Sequence, residues 1–340
     1  MLAENVFDSE GNGQLRPFRV ERDLSPLSDL IALAFKDELE RTANPLVAEM
    51  RRLAKLGPVL WLVGGSQGLL PPLMDGYVWI VDGRLVGNVT LMRESGARGL
   101  WSVSNVAVLP AYRRQGIARR LMEAAIRRAL DRGAHRLVLE VSAENEAARR
   151  LYHSLGFAEY DAIRELLLPR FRWPEQLEPT ELPLRPWRSA DAPGLYELLR
   201  TATPPEAQDI KPIALSRYGT GFDNHFSAWL GRLLGRSVRS AWVLDDTASI
   251  TAVLRITERY RRDAHEIDIV VHPQHRGAVE DALLNKALSE LSRFPLGVRA
   301  AVSEAHPQAV QAFEEAGFET VRVLAQMTLD LRALQQGVVL

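Results

Sequence analysis

Val106-Ala107-Val108-Leu109-Pro110-Ala111-Tyr112-Arg113-Arg114-Gln115-Gly116-Ile117-Ala118 is the stretch on which the reading of the fold turns. An apolar run ends at Pro110, a short turn follows, and a helical pattern starts at a glycine flanked by small and basic residues. Ile117, Leu121, Ala125 and Leu130 recur roughly at helical spacing, and Gly133 supplies the stop. The first turn of such a helix carries N–H groups without intrahelical partners and the positive end of the helix dipole. A glycine there lets a bulky anion approach the backbone, and Arg113, Arg114, Arg119 and Arg120 add positive charge, so the segment reads as a diphosphate cradle. On these residues alone a solvated strand-to-helix turn stays open. A nucleotide-hydrolase loop is excluded, because Ile117-Ala118 stand where Lys-Ser/Thr is required, and the dinucleotide fingerprint lacks two of its three glycines.

Outward from this segment, strand and helix patterns alternate. Leu15 to Val20 reads as a strand, and Leu27 to Phe35 and Pro45 to Leu56 as helices. Tyr77 to Val81 and Leu85 to Met92 form a hairpin around Asp82-Gly83-Arg84, with Leu100 to Leu109 a third strand. Arg136 to Val141 is a strand, Glu146 to Leu155 a helix and Phe157 to Leu168 a closing strand. The pattern then returns. Leu15-Arg16-Pro17-Phe18-Arg19 recurs as Leu184-Arg185-Pro186-Trp187-Arg188, Trp79-Ile80-Val81-Asp82 as Trp242-Val243-Leu244-Asp245, and Val141-Ser142 with Gly156-Phe157 as Val302-Ser303 with Gly317-Phe318. The offsets of 169, 163 and 161 drift as loop insertions would make them drift. The expected fold class is α/β, a mixed sheet with helices on its faces, duplicated in tandem. We place one copy at residues 14–170, a proline-bearing linker at 171–183 and the second copy at 184–335.

Arg113-x-x-Gly116-x-Ala118 after an apolar strand and Pro110 resembles the acyl-CoA loop of the GNAT superfamily of N-acetyltransferases. Leu139-Glu140-Val141-x-x-x-Asn145-x-x-Ala148-x-x-Leu151-Tyr152-x-x-x-Gly156-Phe157 resembles the family's second signature, as its ribosomal-protein alanine N-acetyltransferases carry it. The resemblance is good over about residues 15–170 and weak over 184–332. It implies acetyl-CoA as cosubstrate and no metal. The strands holding Val106–Val108 and Leu137–Val141 would splay apart, and pantetheine would bond to backbone at Val106 and Val108. The amides of Arg114, Gln115, Gly116, Ile117, Ala118 and Arg119 would take the pyrophosphate. An amide near Ala107 would face the negative charge that develops on the carbonyl oxygen.

The resemblance places Tyr152 as general acid, and a phenol with a pKa of ~10 keeps its proton at neutral pH. As a plain residue it is a buried aromatic, like Phe313 in the second copy. Glu140 is the candidate base, directly or through water. It lies on the face opposite Leu139 and Val141, and pairing with a basic neighbour is the alternative. Asn145 is a cofactor contact, an N-cap of the following helix, or both. His135 and His153 read as surface residues, Arg259-Tyr260-Arg261-Arg262 as a solvated loop, and Gly64 to Gly76 as a connecting loop beside the amine pocket or away from it. In the second copy Val279, Glu280 and Asp281 stand where Gly116, Ile117 and Ala118 stand, and Phe313 replaces Tyr152, so acyl-CoA binding is not expected there. Gly277, two positions before Val279, leaves room for a shifted loop.

The 340 residues are 25% charged and 46% hydrophobic, as in ordinary globular proteins, with Lys plus Arg 42 against Asp plus Glu 43. A net charge of −1 and 7% aromatics disfavour nucleic-acid binding. With no cysteine, disulfides, thiolate metal sites and an acetyl-cysteine intermediate are excluded. Met1 to Gln14 does not read as a secretory signal, and no apolar run approaches the ~18 residues of a membrane span. The expectation is a cytoplasmic N-acetyltransferase acting in the first copy on a small-molecule or peptide primary amine. The second copy would be a non-catalytic relative of it, with a homodimer as one possible assembly. The alternative is an acyl-CoA-binding sensor or scaffold without transferase activity.

Overall fold

Arg16 and Asp23 show how each copy is begun. Both terminal guanidinium nitrogens of Arg16 donate to the Asp23 carboxylate at 2.6 Å, and Arg19 N donates to it at 2.8 Å. In the second copy Arg185 pairs with Asp191 at 2.8 Å and Arg188 N donates to Asp191 at 2.7 Å. The recurring Leu-Arg-Pro-x-Arg sequence therefore carries one recurring device, a strand arginine clamped to an acidic residue where the next helix begins.

The structure is a computed structural model that describes residues 6–7, 13–36, 75–94, 97–174, 182–210, 213, 237–246, 249–259, 264–293 and 296–335. The first copy contributes strands β1 (Val6–Phe7), β2 (Gln14–Pro17), β3 (Asp75–Val81), β4 (Arg84–Arg93), β5 (Leu100–Val108), β6 (Arg136–Ser142) and β7 (Ala158–Leu168). Its helices are α1 (Val20–Ala34), α2 (Ile117–Asp131) and α3 (Glu146–Ser154). The second contributes β8 (Arg185–Pro186), β9 (Val238–Asp245), β10 (Ile250–Glu258), β11 (Ala264–Val271), β12 (Gly297–Ser303) and β13 (Glu319–Asp330). Its helices are α4 (Ala192–Ala202), α5 (Pro205–Ile210), α6 (Glu280–Leu291), α7 (Pro307–Glu315) and α8 (Leu331–Gln335). The alternation and the mixed sheet are those expected.

The chain divides into two compact units. One is Met1–Val141, Asn145–Ala158 and Met327–Leu340; the other is Ser142–Glu144 and Glu159–Gln326. In the first unit β1 to β5 are antiparallel neighbours, β6 joins β5 in parallel, and β13 follows β6. In the second the order runs from β7 through β12, β11, β10 and β9 to β8. The contiguous division at residues 171–183 is therefore not followed by the closing strands. The end of β13 belongs with β6, and β7 pairs with β12 from Val298↔Leu168 to Ser303↔Ile163. Leu166 and Leu168 of β7 lie in one buried cluster with Leu283, Leu284, Phe313 and Phe318. Equivalent strands of a duplicated fold make equivalent contacts, so an exchange of this kind costs little.

Asp82 and Gly83, at φ 48° and 74°, make the two-residue β3–β4 turn. Two boundaries differ from the expected ones. The strand at Leu15 stops at Pro17, and α1 starts at Val20 rather than Leu27, because the Asp23 carboxylate engages the Arg19 amide and fixes a start ahead of Pro26. The Pro45–Leu56 helix and nearly all of the Gly64–Gly76 loop fall outside the described residues, although Gly76 itself lies in β3. Of Arg259-Tyr260-Arg261-Arg262 only Arg259 is described, and it pairs with Glu266.

Candidate active site

Strand β5 changes register at its centre. Asn88 lies opposite Ala107 but Thr90 lies opposite Ser104, so β5 carries one more residue than β4 across this step. The bulge is held by Asn105 at φ 51° and by Asn88, which is fully buried and whose Nδ2 donates to Asn105 O at 3.0 Å. Neither Asn105 nor Val106 has a register partner on β4, and pairing resumes at Ala107 and Val108. On its other side β5 pairs with β6 only from Leu100↔Arg136 to Val103↔Leu139. Beyond that point the two parallel strands diverge, with Ser104 to Val108 on one wall and Glu140 and Val141 on the other. The splay that the resemblance implied is present.

The two faces of this wedge differ. A β-carbon on Gly87 would lie 3.0 Å from Leu121 and 3.1 Å from Ile117, so that face belongs to α2. Arg16, Val78 and Asn88 are successive cross-strand partners, and Arg16 reaches Asp23 of α1, so their face belongs to α1. Thr90 and Ser104, and Met92 and Ser102, are opposed on the α1 face, and Val138, the partner of Ser102, puts Glu140 there too. Asn88 Oδ1, Ser102 Oγ and Ser104 Oγ are buried there, and among the described residues no hydrogen bond reaches them. Unsatisfied buried acceptors cost about 1–3 kcal/mol each, and sequence reading missed this row because isolated serines carry no pattern. Glu140 is exposed.

At the N-terminus of α2, Gly116 is left-handed at φ 76° and Arg114 at φ 65°. A β-carbon on Gly116 would meet nothing within 4 Å. Glycine is thus set by backbone conformation, and space is open beside it. Among the described residues no hydrogen bond takes up the amides of residues 114–119, so the N–H groups of Arg114, Gln115, Gly116, Ile117, Ala118 and Arg119 remain as donors. Arg113 is placed differently from the cationic role first read for it. Its Nε donates to Val108 O at 3.1 Å and its Nη2 to Ala34 O at 3.4 Å, so it braces the loop against β5 and the end of α1. Arg119 reaches Ser154 Oγ of α3 at 2.6 Å, and Arg120 lies 5.6 Å from the Trp79 ring centroid.

Tyr152 is 6% exposed on α3, its ring 6.0 Å from that of Phe157. Burial pushes its phenol up to about 12. Asn145 caps α3, its Oδ1 accepting from Ala148 N at 3.1 Å, so the capping reading holds. His153 sits against Phe157 O at 3.1 Å.

The second copy keeps the splay, since β11 pairs with β12 only from Ala264↔Gly297 to Ile267↔Ala300, but its described residues differ elsewhere. β10 and β11 pair without interruption from Ala252↔Val271 to Thr257↔Glu266, and no bulge forms. Phe313 is fully buried, 4.9 Å from Phe318 in an edge-on contact. Arg276 repeats the brace of Arg113, with Nη2 donating to Ala202 O at 2.9 Å. At the start of α6, however, the Glu280 carboxylate accepts from Gly277 N at 2.8 Å and Val279 N at 3.2 Å, and His306 Nε2 meets it at 2.8 Å.

Comparison with known proteins gives this geometry its class. The model of the acetyltransferase (GNAT) family matches residues 61–157. N-alpha-acetyltransferase 30 of Schizosaccharomyces pombe is 37% identical over 108 residues, 27% of this chain and 71% of that protein. The [Ribosomal protein bS18]-alanine N-acetyltransferase of Escherichia coli is 53% identical over 55 residues, and the match spans 16% of this chain and only 37% of that enzyme. A tandem GNAT protein from the clavulanic acid biosynthesis pathway shares the fold at a TM-score of 0.55 and 21% identity, over 93% of this chain and 98% of that one. The chain belongs to the GNAT family and is an N-acetyltransferase whose fold is duplicated in tandem. Among the described residues no helix is long and apolar enough to cross a membrane.

Proposed function

We propose that the first copy alone carries the transferase site, moving an acetyl group from acetyl-CoA to a primary amine by direct attack. The observation that carries this reading is the contrast at the two helix starts: donor amides around Gly116, and amides taken by Glu280 in the second copy. The residues present fit acetyl-CoA. The amides of residues 114–119 hold its diphosphate, and backbone at Val106 and Val108, along the diverging strand, holds the pantetheine arm. When bound, acetyl-CoA supplies the acetyl group as an activated thioester.

The amine enters from the α1 face, opposite the cradle, where Asn88 Oδ1, Ser102 Oγ and Ser104 Oγ lack donors. Glu140, or a water it orders, accepts the proton that the amine nitrogen gives up as the new C–N bond forms. Tyr152 gives its phenolic proton to the thiolate sulfur as the C–S bond breaks, and regains one from solvent. A pKa of about 12 keeps that proton in place at neutral pH. The backbone of the bulge near Ala107 provides the fixed dipoles that face the negative charge developing on the carbonyl oxygen.

A non-transferring acyl-CoA sensor would need neither Tyr152 nor Glu140. Release of CoA thiol from acetyl-CoA, followed across peptides with free N-termini, lysine, polyamines and aminoglycosides, separates the two. Amine-dependent release supports transfer. Acetyl-CoA binding without release on any amine contradicts it.

A further inference from the structure

The start of α6 is built as an anion site. Pro273 and Arg276 stand where Pro110 and Arg113 stand, and both arginines brace their loops against the end of the copy's first helix, at Ala202 and Ala34. Gly277 is left-handed at φ 84°, and α6 runs for 12 residues. Within this frame the first copy's Ile117 has become Glu280, and its capping Asn145 has become His306. Glu280 is only 2% exposed and His306 7%. One carboxylate oxygen takes the Gly277 and Val279 amides, and the other faces His306 Nε2. An ionised group this deeply buried needs several hydrogen bonds to be tolerated, and here they come from loop amides and the start of α7.

We infer that Glu280 is the resident anion of the second copy: its carboxylate fills, from within the chain, the place that a diphosphate takes in the first. This rests on reading the Gly116 loop as a phosphate cradle. It goes further in assigning the second loop a retained anion site with a covalently supplied occupant. The site is closed to external diphosphates, so the second copy does not compete for acetyl-CoA, while the occupant ties the loop, α6 and α7 together.

Chemical rescue tests the assignment on the full chain. Glu280→Ala empties the cradle, so the thermal midpoint falls below that of the wild type. Inorganic pyrophosphate then recovers most of the loss, whereas sodium chloride at matched ionic strength does not. The wild type, whose second cradle is filled, shows only the smaller response that the first copy supplies. A Glu280→Ala midpoint equal to wild type, or a loss that pyrophosphate recovers no better than chloride, overturns the assignment. Should Glu280→Ala not fold, Glu280→Gln keeps the shape and an acceptor oxygen. It is expected to fold with a lowered midpoint and a wild-type response to pyrophosphate, and a midpoint equal to wild type overturns the assignment. Acetyl transfer, read in the same samples by thiol release, stays at the wild-type rate in either variant. Failure of the rescue with transfer intact therefore refutes the resident anion alone, while absence of transfer in the wild type refutes the proposed activity.

Discussion

Tyr152 and Phe313 occupy matching places on matching helices and differ by one hydroxyl. Both are almost completely buried against a second aromatic ring, so the hydroxyl adds little to packing. Tyr152→Phe is accordingly expected to leave the thermal midpoint and acetyl-CoA affinity nearly unchanged while lowering turnover by ~10²–10⁴. Steady-state kinetics beside calorimetry read both quantities, and undiminished turnover removes the general-acid role. Because burial raises the phenol to about 12, its ionisation imposes no alkaline fall in rate at neutral to mildly basic pH. At this scale the sequence was informative where backbone conformation or a cap demands the residue type, as at Gly116 and Asn145. It did not announce the two carbonyls, Val108 O and Ala34 O, to which the Arg113 guanidinium donates.

Elements carry information that residue types do not. The β5 bulge is a matter of register, and no local pattern in Ser102 to Val108 announces that Asn105 adopts φ 51° or that Asn88 anchors it. Asn88→Ala should release Asn105 O, a buried bond whose loss costs about 1–3 kcal/mol. On the proposed mechanism, in which the bulge backbone faces the reacting carbonyl, we expect kcat to fall more than acetyl-CoA affinity. An equal loss in both quantities would mark Asn88 as a folding residue only. Helix α1 begins at Val20, ahead of the expected Leu27, because the Asp23 carboxylate fixes the helix start at the Arg19 amide.

In the second copy, burial by itself would raise the Glu280 carboxyl, but the His306 contact and the loop amides outweigh it, and the group lies below the usual carboxylate range. Burial lowers the Arg276 guanidinium on the same loop, and the Glu280 charge opposes that shift. A carboxyl depressed in the folded state contributes stability that is present above its unfolded pKa and lost as pH falls through the folded value. Wild type should therefore lose more stability on acidification than Glu280→Gln, as denaturant midpoints across acidic pH would reveal. Parallel profiles would contradict this.

At the scale of the molecule, the duplication was legible because three matched segments recur in order, and the Arg–Asp clamps give the first of them a physical cause. The partition of the closing strands was not legible. β7 and β13 carry similar alternating patterns, and which sheet each completes depends on topology rather than on local composition. The first unit draws Met327, Leu329 and Leu331, all buried, from the far end of the chain, with Thr328 Oγ1 donating to Leu137 O at 3.2 Å. Full burial of such side chains stabilises by ~1.5–3 kcal/mol each, a large share of the ~5–15 kcal/mol that holds a domain together. A chain ending at Gln326 should therefore lose acetyl-CoA binding and protease resistance in the first unit, although its sequence motifs are intact. Retention of both would contradict the assignment of the C-terminal segment to that unit.

The central claim is a single equipped cofactor site, at Gly116. Calorimetric titration of the full chain with acetyl-CoA tests it most directly. One equivalent is expected to bind to the wild type. In Gly116→Val, where a branched side chain enters the open space and must adopt a left-handed backbone, affinity should fall by roughly tenfold or more, about 1.4 kcal/mol. Two equivalents in the wild type, or unaltered affinity in folded Gly116→Val, would contradict it.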